Sequence, residues 1–153
     1  MINPLLIGTN IAKLIFRDKG KVHKILIVDD DKLIRWSLKE MFTQEGYEVD
    51  AVASTKDALS QATNKPYNLI FADVELSKEM GFDMLREINK LQPLAKIVIL
   101  SAYTKHQIEP FLGTLNIFSI VEKPFQSEKI KALAKEALDT LKSTKKGGGN
   151  HTG

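Results

Sequence analysis

Six side chains of reactive type stand where apolar runs stop. Asp29, Asp30 and Asp31 follow Ile-Leu-Ile-Val, Asp73 follows Leu-Ile-Phe-Ala, Ser101 follows Ile-Val-Ile-Leu, and Lys123 follows Ile-Val-Glu. Carboxylates gathered in one place repel one another, so ionising all of them is costly unless a cation is present. Mg²⁺, a hard ion that takes oxygen ligands and keeps several waters, suits such a set. An ammonium and a hydroxyl facing the acids add donors for an oxyanion. If the four runs lie side by side, their ends form a receptor for an oxyanion held against a metal. Taken singly, each acid reads equally well as a loop residue or a helix cap. The specificity lies in the constellation.

The elements that must bring these ends together are legible from periodicity. Short β-branched runs at 24–29, 48–52, 68–73, 96–101 and 117–121 are too short for helices, and most are apolar on both faces, as in buried parallel strands. Helical spacing fills the gaps between them. One helix spans 33–45, with Ile34, Leu38, Met41 and Phe42 in register and Gly46 closing it. A second starts at Ser54, whose hydroxyl and the Asp57 carboxylate resemble a capping arrangement. Others are expected at 81–91, at 105–115 with Asn116 as its stop, and at 127–142. Five strands alternating with five helices predict a three-layer, doubly wound α/β domain with a parallel sheet. In such sheets ligands sit beyond the carboxyl ends of the strands, where the six residues fall.

Composition removes other classes. The chain has 153 residues and no cysteine, which excludes a disulfide scaffold, a zinc finger and a thiol nucleophile. Its longest apolar runs fall far short of the ~20 residues a membrane-spanning helix requires, and the N-terminus lacks the pattern of a secretory signal. A cytoplasmic protein is expected. The net charge of +3 sits at the ends: residues 1–23 and 142–153 each carry +3, leaving a body of −3. A basic nucleic-acid surface is therefore not indicated. His23, His106 and His151 show no ligand spacing. Ile7, Ile11, Leu14 and Ile15 form a helical stripe in an N-terminal extension over 1–23, and a Gly-rich tail occupies 143–153.

The residues from 24 to about 141 resemble the receiver domain of bacterial two-component response regulators. The resemblance rests on Ile-Leu-Ile-Val-Asp29-Asp30-Asp31, Leu-Ile-Phe-Ala-Asp73, Gly81-Phe-Asp-Met-Leu, Ile-Val-Ile-Leu-Ser101-Ala102 and Val-Glu-Lys123-Pro124-Phe125. It implies a receiver over 24–142 with a flavodoxin-like fold, strand order 2-1-3-4-5. It also implies Asp73 as phosphoacceptor, and Mg²⁺ held by Asp29, Asp30, Asp73 and the backbone carbonyl of Glu75. Ser101 and Lys123 would bind the phosphoryl group, with Lys123 presented by a cis peptide to Pro124. The implied partners are a sensor histidine kinase or phosphotransfer protein and an unknown downstream protein target. Docking of the kinase is expected at the first helix and the loop after Lys123, through Arg35, Trp36 and Phe125.

Two positions depart from the family pattern. The proline usual four residues after the phosphoacceptor is Ser77, and the aromatic switch residue usual three before the lysine is Ile120. Glu75 and Tyr103 occupy positions that in this family flank the path of attacking water. About a dozen residues follow the last helix, too few for a DNA-binding module, so output by protein contact is expected. Two other readings compete. One is a small Mg²⁺-dependent phosphohydrolase of the haloacid dehalogenase type, which Asp29-Asp30-Asp31 superficially fits but which leaves Asp73 without a task. The other is a scaffold that keeps the shape without being phosphorylated.

Overall fold

The structure, a computed structural model, describes residues 22–76 and 79–147. The N-terminal stripe, Ser77, His151 and the end of the Gly-rich tail lie outside these residues.

The order of elements is β1 (Lys24–Val28), α1 (Lys32–Gln44), β2 (Glu48–Val52), α2 (Thr55–Asn64), β3 (Leu69–Asp73), β4 (Glu75–Leu76), β5 (Glu79–Met80), α3 (Phe82–Leu91), β6 (Lys96–Ser101), α4 (Lys105–Ile108), a 3₁₀ turn (Glu109–Phe111), β7 (Ser119–Glu122) and α5 (Ser127–Gly147). Five strands form one parallel sheet in the order β2-β1-β3-β6-β7, and β4 and β5 pair as a separate two-stranded hairpin. This is the expected flavodoxin-like order 2-1-3-4-5, counting only the strands of the main sheet.

Alternation along the strands divides the core in two. Ile25 and Ile27, Leu69 and Phe71, and Val98 and Leu100 pack with Leu38 and Phe42 of α1 and with Ile130, Ala134 and Leu138 of α5. Their neighbours Leu26 and Val28, Ile70 and Ala72, and Ile97 and Ile99 pack on the other face with Ala58 of α2 and Leu85 and Ile88 of α3. Each buried Val, Leu, Ile or Phe among them contributes roughly 1.5–3 kcal/mol, and the two faces together fix the sheet in register.

Local chemistry sets the helix ends. Gly46 follows α1 with φ 92°, its N–H donating to the Thr43 carbonyl while the Tyr47 N–H donates to that of Phe42. This is a Schellman closure, in which a glycine accepts the left-handed conformation without a Cβ clash. Ser54 caps α2, its hydroxyl accepting from the Asp57 N–H at 3.1 Å.

Four expectations need correction. The helix expected over 105–115 is α for only four residues and then tightens into the 3₁₀ turn. Pro110 explains this, because it has no N–H to continue the ladder. The helical stretch ends at Phe111 with Leu112 as its cap and Gly113 (φ 54°) after it, well before Asn116. The last strand starts at Ser119 rather than at residue 117, and α5 continues past residue 142 to Gly147.

Candidate functional site

β1 and β3 are adjacent and parallel, so their carboxyl ends deliver Asp29 and Asp73 to the same rim. Both are almost fully buried, at 0% and 2% exposure, whereas Asp30 faces solvent. Carboxylate oxygens of Asp29, Asp30 and Asp73 all lie within 4.8 Å of one another. Asp31 leaves this group. Its Oδ1 accepts from the Leu33 and Ile34 N–H groups at 2.8 and 3.2 Å, which makes it the N-cap of α1. The acidic triplet thus divides into two residues for the cluster and one for the helix.

β6 lies beside β3 and ends in Ser101, which is fully buried; β7 lies beside β6 and runs into Lys123. The Lys123 N–H donates to the Ser101 carbonyl at 2.7 Å, so the two residues are tied through the backbone. The Lys123–Pro124 peptide is cis, as expected. Nζ of Lys123 bridges the two buried acids, at 2.8 Å from Asp29 Oδ2 and 3.2 Å from Asp73 Oδ2. The remaining oxygens are also engaged: Asp29 Oδ1 accepts from the Asp31 N–H and Asp73 Oδ1 from the Glu75 N–H.

Burial raises the pKa of Asp73, and the charge of Asp29 adds to this; the Glu75 N–H and Lys123 pull the other way without cancelling it. For Lys123 burial works against the charged form, but hydrogen bonds to Asp29 and the charges of Asp29 and Asp73 outweigh it and hold the pKa up. The ammonium is thus the fixed charge of the site. A cluster of hard oxygen donors, open on the side of Asp30, fits a divalent cation of the Mg²⁺ type.

The sequence singled out Glu75 as flanking the path of attacking water but did not disclose its hydrogen-bond partners. Its carboxylate turns away from the acid cluster and accepts from the Ser101 hydroxyl, and from the Ala102 N–H at 3.1 Å (Oε1) and 3.3 Å (Oε2). The Ser101 oxygen in turn accepts from the Tyr103 N–H at 2.9 Å. Tyr103 itself is about half exposed. Ile120 is half-buried and packs toward the α2 and α3 face of the sheet.

Of the expected docking residues, only Trp36 is free to meet a partner, at 63% exposure, with Leu33 one turn before it also exposed. Arg35 is used internally, donating to the Asp29 carbonyl at 2.9 Å, and Phe125 packs partly against the α1 and α5 face. His23 lies near Tyr47 and His106 is on the surface, remote in role from the cluster.

A doubly wound parallel sheet with buried acids, a hydroxyl and an ammonium on one rim is the class that fold and site define. Residues 25–135 match the response regulator receiver domain, and the chain belongs to that family. It is similar to the sensory transduction protein LytT of Bacillus subtilis, 30% identical over 115 residues that make up 74% of this chain and 47% of that protein. The chain therefore spans about half the length of this curated relative. Among solved structures it is similar to a CheY-like receiver domain protein from Methanospirillum hungatei, with TM-score 0.76, 29% identity and coverage of 81% of this chain and 99% of that one. It is also similar to response regulator TrrA from Thermotoga maritima, solved in complex with Mg²⁺-BeF, with TM-score 0.67, 31% identity and coverage of 76% and 99%. The dehalogenase-type alternative finds no support in these matches, and it still assigns no task to Asp73, a member of the acid cluster.

Proposed function

We propose that this receiver accepts a phosphoryl group on Asp73 from a phosphohistidine of a sensor kinase or phosphotransfer protein and signals through altered protein contacts. One observation carries the assignment: Asp73 is a buried carboxylate at the end of the central strand, 3.2 Å from the Lys123 ammonium and beside Asp29 and Asp30. An Asp73 oxygen attacks phosphorus, the P–N bond to the donor histidine breaks, and an acyl phosphate forms. Lys123 would neutralise charge on the phosphoryl oxygens, and the Ser101 hydroxyl and the Ala102 N–H would donate hydrogen bonds to them. Asp29, Asp30, Asp73 and the Glu75 carbonyl would hold Mg²⁺, which when bound supplies positive charge to the same oxygens. The exposed Trp36 and Leu33 on α1 offer the kinase an apolar contact beside the rim.

Intact-mass measurement after incubation with acetyl phosphate and Mg²⁺ tests the reading. A single phosphoryl adduct is expected in the wild-type protein and none in Asp73→Asn. Turnover of the donor without an adduct would favour a hydrolase, and no reaction would favour a scaffold.

A further inference from the structure

The two donors that would receive a phosphoryl oxygen at the end of β6 are already engaged by a carboxylate. Glu75 starts the β4–β5 hairpin and reaches across to the rim of β6, where Oε1 takes the Ser101 hydroxyl and both its oxygens lie within reach of the Ala102 N–H. The Ser101 hydroxyl is fully buried and its oxygen is fixed from behind by the Tyr103 N–H, so its proton has one direction in which to point. A carboxylate placed so repeats the task assigned above to the phosphoryl group. It presents anionic oxygens to the same hydroxyl and the same amide.

We infer that Glu75 is a resident oxyanion of this receiver: its carboxylate holds Ser101 and Ala102 in receiving geometry before phosphorylation and must leave when the phosphoryl group arrives. The inference rests on the proposed phosphoacceptor site. The same two donors do not serve a carboxylate and a phosphoryl group together, because anions brought that close repel strongly in a partly buried site. Glu75 therefore does two things. It keeps a buried hydroxyl satisfied, so the oxyanion receptor does not collapse, and it competes with the incoming group for that receptor. Release turns a carboxylate outward at the start of the hairpin, adding a charge change there to any movement of the Ser101 loop.

Competition has a measurable signature. If Glu75 occupies the donors about nine-tenths of the time, apparent affinity for a phosphoryl mimic is lowered about tenfold. Beryllofluoride with saturating Mg²⁺ is the probe, titrated while the amide resonance of Ala102 is followed. Glu75→Ala should bind about tenfold more tightly than wild type on that arithmetic, and its ligand-free Ala102 amide proton should shift upfield as the hydrogen bond to a carboxylate is lost. Glu75→Asp separates occupancy from simple charge, since it keeps the charge but is one methylene too short to span the gap. It should resemble Glu75→Ala, whereas Glu75→Gln, which still offers an amide oxygen, should lie between Glu75→Ala and wild type. Equal affinity in wild type and Glu75→Ala would overturn the inference, and so would wild-type affinity in Glu75→Asp, which would leave only a long-range charge effect. Failure of every variant and of wild type to bind beryllofluoride would overturn the phosphoacceptor assignment itself, and this inference with it.

Discussion

Asp73 is held where being charged is unfavourable. Its pKa is raised chiefly by burial and further by Asp29, so protonation of Asp73 favours the folded state. That stabilisation is complete below the ordinary carboxylate range and is lost as pH rises through the raised folded value; at neutral pH the ionised side chain weighs against folding. Asp73→Asn should accordingly melt at a higher temperature than wild type at pH 7 without metal, with the difference narrowing as pH falls into the acid range. A lower midpoint for the variant at pH 7 would mean that the carboxylate is net stabilising. Lys123 presents the opposite case. Its removal leaves Asp29, at 0% exposure, without its ammonium, and Lys123→Ala should cost about 3–5 kcal/mol in denaturant unfolding. Adding Asp29→Asn should recover much of that loss; no recovery would place the damage elsewhere. The acids and the lysine were legible from sequence because each ends an apolar run. Glu75 was singled out too, but the contact of its carboxylate with Ser101 was not, because that partner lies 26 residues away on a strand that is not its sequence neighbour.

Among the elements, regular strands and long helices were recognised by period, and the irregular ones were not. The β4–β5 hairpin is two residues per strand, too short for alternation to register. The break after α4 carried a signal in Pro110 that the looser apolar spacing of the segment obscured. The output side of the sheet is where this matters. Ile120 is half-buried against the α2 and α3 face, and a β-branched side chain is restricted at χ1 and has little reach. On addition of beryllofluoride, amide shifts should be large at Ala102 and Tyr103 and small at Ile120; equal changes would show that the isoleucine switches. At the far end of the sheet, the Tyr67 hydroxyl lies 2.6 Å from Asp50 Oδ2 and 2.9 Å from Gln61 Oε1, joining β2, α2 and the start of β3. Burial opposes ionisation of Asp50, but hydrogen bonds from Tyr67 and Lys65 outweigh it and lower the pKa; Tyr67 is correspondingly raised, by burial first and then by Asp50. Stability from the Asp50 carboxylate is present above the ordinary carboxylate range and lost as pH falls through its lowered folded value. Tyr67→Phe should cost about 1–3 kcal/mol at neutral pH and progressively less as Asp50 is protonated, which denaturant titrations at several pH values will read.

For the molecule as a whole, the alternation of apolar runs and helical stretches determined the class of fold, and the strand order came from the family resemblance. Two core layers on opposite faces of one sheet leave the rim as the place where polar side chains meet. That rim draws its parts from far along the chain: Lys123 and Asp29, in contact, are separated by 94 residues. Every strand pair in the main sheet is parallel, and so each needs a crossover before it can form. Such non-local pairings are slow to assemble. A chain made from its N-terminus presents both acids long before the lysine exists, and during that interval it holds the repelling half of the rim without the cation that reconciles it. On the proposed function, the ability to take up a phosphoryl group would arrive only with Lys123, just after the final strand. Reactivity would then attest that β1, β3, β6 and β7 have all been made and brought to one rim.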